Sequence, residues 1–529
     1  MGNKVLIYQV LPRLWGNPDG NNKPGGSLAE NGCGHFSSFD AETFSYVRSL
    51  GCTHIWYTGV LRHATAEDGG GCIPSCKDWV KGRAGSPYAI EDYYDVNPYL
   101  ADNPDNRMNE FEDLINRTRD AGLGVIIDFV PNHVARDYGR ISPAKPSGSN
   151  VVPLGAWDNR TVHWAFDNDF YYYPDTPLTL PVENQTYEEC PARASGNAFT
   201  PSPSVNDWYE TVKLNYCDAY SPTWQKMYEI VRFWASKGVQ GFRCDMVELV
   251  PEPFFKWLIA RIKEEFPDII FIAEVYNMDS YRQYIQDAGF DYLYDKSGSY
   301  DTLRGVIRGE RPASDLTSVW KNIDGIQGHM LGFLENHDEQ RLASDFFAGD
   351  PRKAYPALAV SVLGGNGAFM LYAGEEVGEK GMDSEGFSGL DGRTTIFDWW
   401  SVKGLGSIWQ SIHGGQMDNT EKDVLKKYRY YMNLAADHPA FSGLFWDLVY
   451  CNTSSKGFDS SRHYAFLRSA RLEDGTLNSF LVVANFSDSP LDTEIYIPPE
   501  CASYMSVGQD SLKIRVSAPT WDARIIKIV

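Results

Sequence analysis

At 529 residues the chain is too long for one ordinary core, and a principal domain with smaller additions is expected. Its 43% hydrophobic and 22% charged residues fit an ordinary soluble globular protein. A formal net charge of -22 repels nucleic acid and anionic membrane surfaces, which leaves a small uncharged molecule as the expected partner. No apolar run reaches the length of a membrane span, and no signal peptide precedes the first strand. The chain as it stands therefore reads as cytoplasmic, although one trimmed from a secreted or periplasmic precursor would read the same.

Short β-rich apolar runs alternate with helical patterns, as a parallel (β/α)8 barrel requires. Eight strands are predicted: Val5 to Leu11, Thr53 to Tyr57, Gly124 to Val130, Gly241 to Asp245, Ile269 to Glu274, Phe290 to Tyr294, His329 to Leu334 and Ala368 to Tyr372. A helix over Arg107 to Ala121 repeats Met108, Phe111, Leu114 and Ile115 at helical spacing and stops at Gly122. Residues 134–220 are rich in Pro, Asn, Asp and Tyr and carry few helical patterns, so they read as a sub-domain inserted after the third strand. The barrel divides accordingly into residues 1–133 and 221–440. From 441 to 529 strand-like runs separated by turns such as Asp474-Gly475 predict an antiparallel β-sandwich. Among the nine cysteines, Cys52 and Cys244 fall in apolar surroundings as plain core thiols. Cys72 and Cys76 share a Gly-rich loop and are placed to pair, while their C-x3-C spacing without a second ligand pair is a poor zinc signal.

The chemistry gathers at the C-terminal ends of the strands, where such barrels carry their working residues. Strand three ends Asp128-Phe-Val-Pro-Asn132-His133, strand four Gly241-Phe-Arg243-Cys-Asp245, strand five Ala273-Glu274-Val275, and strand seven Glu335-Asn-His337-Asp338. One acidic residue at a strand end is more often a loop cap or surface charge, and a lone histidine is more often structural. Four acid-bearing ends on one rim are hard to obtain by independent accident. Arg243 lies two residues before Asp245, on the same strand face, where a guanidinium favours the ionised carboxylate.

These four blocks, in this order, resemble the hallmark regions of the α-amylase family, glycoside hydrolase family 13. The insertion and the C-terminal sandwich are similar to that family's domains B and C. The resemblance implies a retaining hydrolase of α-glucosidic bonds, mainly α-1,4, in malto-oligosaccharides or related short α-glucans. Asp245 would be the nucleophile and Glu274 the acid/base that holds a proton at rest, the two carboxyls standing roughly 5–5.5 Å apart. Asp338 would hold sugar hydroxyls and favour the transition state. His133 and His337 would bond the same sugar, with Arg243 beside the nucleophile. Tyr88, in Ser86-Pro-Tyr-Ala-Ile, matches the family's ring-stacking tyrosine, and Arg393, in Asp391-Gly-Arg-Thr-Thr, resembles an arginine near the subsite in some relatives.

Two places depart from the commonest pattern. Glu248 and Leu249 stand where typical α-amylases carry a Lys-His pair, which removes one link to leaving-side sugar and to domain B calcium. Thr211-Val-Lys213-Leu-Asn215 is closer to the neopullulanase and cyclomaltodextrinase motif. Asn17, Asp19 and Asn22 in the first barrel loop are the expected ligands of a structural calcium, which takes six to eight oxygens; an Asn/Asp turn closed by its own bonds is the competing reading. No organic cofactor is expected. Alternatives to hydrolysis are transglycosylation by the same machinery and a non-catalytic sugar-binding or transporter-associated barrel.

Overall fold

The computed structural model describes residues 4–17, 20–68, 73–140, 145–146, 151–217 and 221–529. Eight parallel strands close into a barrel in sequential order: β1 (Leu6–Val10), β2 (His54–Tyr57), β3 (Gly124–Phe129), β4 (Gly241–Cys244), β5 (Ile270–Ala273), β6 (Tyr292–Tyr294), β7 (Met330–Phe333) and β8 (Ala368–Tyr372). The register from Leu6↔Phe369 to Gln9↔Tyr372 joins β8 back to β1. Each predicted strand is present, Ala368–Tyr372 with the same bounds and the others shorter by one or two residues. The predicted helix runs from Arg107 to Asp120.

Alternation along each strand decides what fills the barrel. Ile7, Trp56, Ile126, Ile272, Tyr294, Leu331, Phe333, Ala368 and Met370 form an interior cluster fed by all strands except β4. On β4 the equivalent low position is Gly241, where a Cβ would meet the side chains of Ile270 and Ile126 at 2.8 and 2.9 Å, so only glycine fits. One step up each strand the apolar layer gives way to polar groups: Asp128 above Ile126, Arg243 above Gly241, Glu274 above Ile272. The register places Arg243 directly beside Asp128 on one side and Ile272 on the other. The acids thus stand on the lid of a packed hydrophobic plug.

Between β3 and β4 the chain makes two small antiparallel pairs, His133–Ala135 with Thr211–Lys213 and Tyr172–Tyr173 with Ala192–Arg193. This insertion shares a core with the loop after β2, in which Trp79, Ala64 and Ala89 pack with Leu178, Leu180 and Tyr209. After β8 the helix Asn419–Asp437 leads to a four-stranded antiparallel sheet and a separate hairpin, Leu491–Ile497 with Leu512–Ala518. The strand Leu444–Asp447 at that sheet's edge was not predicted.

Two buried cations cap the end of one barrel helix, and one of them comes from the C-terminal sheet. The helix Tyr355–Gly364 ends with unpaired carbonyls, as all helices do. Lys4 donates to Val362 O and Gly365 O at 2.5 and 2.7 Å, while Arg468, from the C-terminal sheet, donates to Gly364 O at 2.6 Å and to Ala440 O and Gly443 O at 3.2 Å. Burial pushes the Arg468 guanidinium down to about 9, which records the desolvation these contacts offset. Replacing it by methionine strands three buried carbonyls. Arg468→Met is expected to lower stability by about 3 kcal/mol, read as an earlier midpoint in thermal or urea unfolding; an unchanged midpoint would mean that water takes over the carbonyls.

Candidate active site

One guanidinium organises the mouth of the barrel. Arg243 is completely buried and places Nη1 2.6 Å from Asp245 Oδ1 and 3.8 Å from Asp128 Oδ1. Its Nη2 lies 3.0 Å from Glu274 Oε2, an ion pair without the alignment of a hydrogen bond. Its plane sits among three aromatic rings, with centroids of Trp56, Tyr88 and Tyr294 at 5.5, 5.4 and 5.6 Å. Asp245 and Glu274, from adjacent strands, are therefore tied to neighbouring nitrogens of a single rigid fork and line the same cavity of about 370 Å³.

The turn after β4 completes this arrangement. Met246 adopts a left-handed conformation (φ 44), uncommon for a residue with a side chain. The turn aims its amide at Glu274, whose Oε2 accepts from Met246 N at 2.8 Å. The other oxygen, Oε1, accepts from the Tyr276 hydroxyl at 2.6 Å. Tyr276 is itself steadied by Glu248, which accepts from the amides of Tyr276 and Asn277 at 2.8 and 3.2 Å. The glutamate at the position of the family's usual lysine thus fixes the loop behind Glu274.

Charge is heavily unbalanced, with four carboxyls around one cation. Burial and the nearby Glu274 push the Asp245 carboxyl up, against the pull of Arg243. Asp128 rises to about 6 through burial, although Trp56 Nε1, Gly59 N and the Tyr88 hydroxyl donate to it. Asp338 is pushed up to about 7 by burial and by Glu274. Its side chain is 41% exposed through the open cleft, so water there relieves part of that burden. Such a cluster takes up and releases protons as a unit rather than residue by residue.

The remaining sequence candidates fall into three groups. Tyr88, His133, Asp245, Glu274 and Asp338 line the cavity, together with Lys81, Ser86, Trp208, Glu210, Thr211, Met246, Tyr276, Ile396 and Phe397. His337 stands behind that wall: Gln9 Nε2 lies 2.7 Å from its Nδ1, the Tyr88 hydroxyl bonds its Nε2, and Asp338 Oδ2 is 3.1 Å from that same nitrogen. The Tyr88 ring stacks on it at 5.4 Å. Arg393 sits at the rim, paired with Asp391 at 3.0 Å, and does not line the cavity.

The calcium expectation is not supported by the described part of the first loop. Asn22 spends both amide atoms on the backbone of Ser401, accepting from N and donating to O at 2.7 Å. Asn17 donates to Asn31 O and Trp400 O. These side chains clip the loop to the segment after β8, where Trp400 and Ser401 provide their backbone partners. Asp19 lies outside the described residues, as does Cys72.

Sequence reasoning missed Tyr276, Trp208, Lys81, Glu210 and Phe397. Tyr276, two residues after Glu274, was the one within reach, because alternation projects it to the same side. The others come from loops whose course only the fold reveals.

An acid-lined cavity at the C-terminal end of a (β/α)8 barrel defines a class of barrel enzymes, and comparison with known proteins identifies the family. The alpha-amylase catalytic domain matches residues 9–433, and the chain belongs to that family. It is 23% identical over 398 residues to a cyclomaltodextrin glucanotransferase of Geobacillus stearothermophilus, covering 70% of this chain and 49% of the relative. It is 21% identical over 395 residues to neopullulanase 2 of Thermoactinomyces vulgaris, covering 72% and 57%. The chain thus spans about half the length of the curated relatives it matches. The solved structure of a cyclic alpha-maltosyl-(1→6)-maltose hydrolase from Arthrobacter globiformis, in complex with maltose, shares the fold at a TM-score of 0.64 and 17% identity, over 99% of this chain and 98% of that one.

Burial holds both site histidines neutral. The His133 imidazole falls to about 3, with Lys213 adding to the effect, and His337 falls well below its ordinary value, with Arg243 adding to it. Nitrogen NMR of labelled histidines should show both rings uncharged at pH 5.5; an imidazolium signal from either would contradict the burial assigned to it.

Proposed function

We propose that the chain is a retaining α-glycosidase that cleaves α-glucosidic bonds, mainly α-1,4, in malto-oligosaccharides or related short α-glucans. The observation that carries the reading is the sharing of Arg243 by Asp245 and Glu274 at one cavity. Asp245 attacks the anomeric carbon as Glu274 gives its proton to the departing glycosidic oxygen, producing a covalent glycosyl-aspartate. The ionised Glu274 then takes a proton from water, whose oxygen attacks the same carbon and frees Asp245. Arg243 stabilises the carboxylate form of the nucleophile, which the chemistry needs against the desolvation of the site.

Asp338, reached from the cavity, binds hydroxyls of the sugar at the cleavage point and offsets the positive charge developing on its ring. Tyr88 and His133 contact the same sugar, and His337 acts through Tyr88 and Asp338 by holding both in place. Membership of the family and likeness to hydrolases of α-glucans support this reading. The similarity to a glucanotransferase favours one second reading, in which a sugar hydroxyl replaces water at the covalent intermediate. Chromatography of products at high maltose concentration separates the two, because transfer yields oligosaccharides longer than the substrate.

Asp245→Asn is expected to lower maltotriose hydrolysis by about 10⁴-fold or more with the melting temperature retained; near-normal turnover would remove the assignment. Proton NMR of the first product should show the α-anomer, and an initial β-anomer would contradict retention. Tyr276→Phe keeps the ring and removes the donor to Glu274 Oε1. It should lower kcat about tenfold with little change in KM and displace the acidic limb of the pH profile; an unchanged profile would leave Tyr276 as a wall residue alone.

A further inference from the structure

Alternation on β1 raises one amide to the level of the site. Ile7 belongs to the hydrophobic plug, so Gln9, two residues further along, projects above it, in register between Trp56 of β2 and Tyr372 of β8. Gln9 has no exposure to solvent. Its amide nitrogen carries two hydrogens, and both have a place to go. It donates to Thr58 Oγ1, in the turn after β2, at 3.1 Å, and faces His337 Nδ1 at 2.7 Å. Trp56 meets the same imidazole at right angles, with ring centroids 5.6 Å apart.

An amide nitrogen only donates, so the ring nitrogen opposite it is the bare, accepting one. Burial, with Arg243 adding to it, keeps this imidazole uncharged, and a neutral ring holds a single proton. That proton therefore sits on Nε2. Two groups meet it there. The Tyr88 hydroxyl accepts from Nε2 and is left free to pass its own hydrogen to Asp128 Oδ1 at 3.4 Å. Asp338 Oδ2 stands 3.1 Å from a protonated nitrogen rather than from a lone pair. The reversed amide would give Gln9 Oε1 the partner it lacks among the described residues. It would also turn the chain round: Nδ1 would carry the proton, Tyr88 would spend its hydrogen on Nε2, and a lone pair would face the Asp338 carboxylate. The orientation found keeps hydrogens on both carboxyls, which are costlier than a neutral amide oxygen to leave unserved.

From this chain of donors we infer that Gln9 is a positioning residue: by donating to Nδ1 it fixes His337 in the Nε2–H form, which anchors Asp338 by one oxygen and leaves the other for sugar hydroxyls. The inference rests on the proposed glycosidase reading and adds to it a residue that does not line the cavity. Gln9 reaches Asp338 and Tyr88 only through the imidazole. A ring held in the wrong tautomer keeps its shape and loses its role, so the cost falls on turnover more than on folding.

Nitrogen NMR of the intact protein with labelled histidine reads the tautomer, the His337 ring being assigned by its loss in His337→Asn. The expected spectrum shows a protonated Nε2 and a bare Nδ1. A proton on Nδ1 in an active preparation would overturn the inference and leave the glycosidase reading standing. Gln9→Glu gives a second readout, because a carboxyl donates to Nδ1 while protonated and only accepts once ionised. His337 and Thr58 face it directly, with Tyr88, Asp338 and Arg243 beyond the imidazole. Relative to the parent protein, kcat on maltotriose should be near normal at low pH and fall about tenfold or more as the introduced carboxyl ionises, while a proton appears on Nδ1. A deficit equal at every pH, or no deficit at all, would overturn the positioning role. Inactivity of the parent toward maltotriose and related short α-glucans would overturn both readings, whatever the tautomer.

Discussion

The structure depends most on one buried guanidinium. Arg243 stands at the top of the barrel's hydrophobic plug with no exposure to solvent, and three carboxyls and three aromatic rings are arranged around it. A charge in that position is stable only because its partners are within a few ångströms, and the carboxyls are tolerable only because it is there. Their mutual need explains why Asp128 and Arg243 stand side by side on β3 and β4, with Glu274 one step higher on β5. It also explains why Gly241 beneath leaves its space to Ile126 and Ile270.

From that centre outward, each contact narrows what Glu274 can do. The left-handed turn at Met246 supplies a backbone amide, and Tyr276 supplies a hydroxyl. Glu248 holds the tyrosine's loop, so the carboxyl is constrained on both oxygens before any ligand arrives. Preorganisation of this kind is what an electrostatic catalyst requires, since donors fixed by the fold need no rearrangement during reaction.

Much of this architecture could be read from the chain. The eight barrel strands are short apolar runs that end in Asp, Glu or a turn, and alternation alone lifts the polar end-residues out of the plug. The hairpin of Leu61–His63 with Ile90–Val96 was not legible, because the second strand carries Glu91, Asp92 and Asp95 yet is buried throughout. Arg62 and Arg107 neutralise two of these acids from distant positions, at 2.7 to 3.0 Å. Leu444–Asp447 escaped notice because it is an edge strand that is nowhere fully buried. At the site, the strand-borne residues were identifiable by spacing. His337 and Arg393 were assigned to the sugar by likeness, whereas packing puts one behind Tyr88 and the other at the rim. Lys81, Trp208, Glu210 and Phe397 come from loops that meet only through long-range contacts, and no local pattern announces such meetings.

The central claim is that Asp245, held by Arg243, makes a bond to sugar while Glu274 moves the proton. Incubation with 5-fluoro-α-glucosyl fluoride, whose glycosyl-enzyme forms faster than it hydrolyses, followed by mass spectrometry of the digested protein, tests it directly. The account predicts one added fluoroglucosyl group, located on the peptide that contains Asp245. An active preparation that carries the label on Glu274 or another side chain would contradict it.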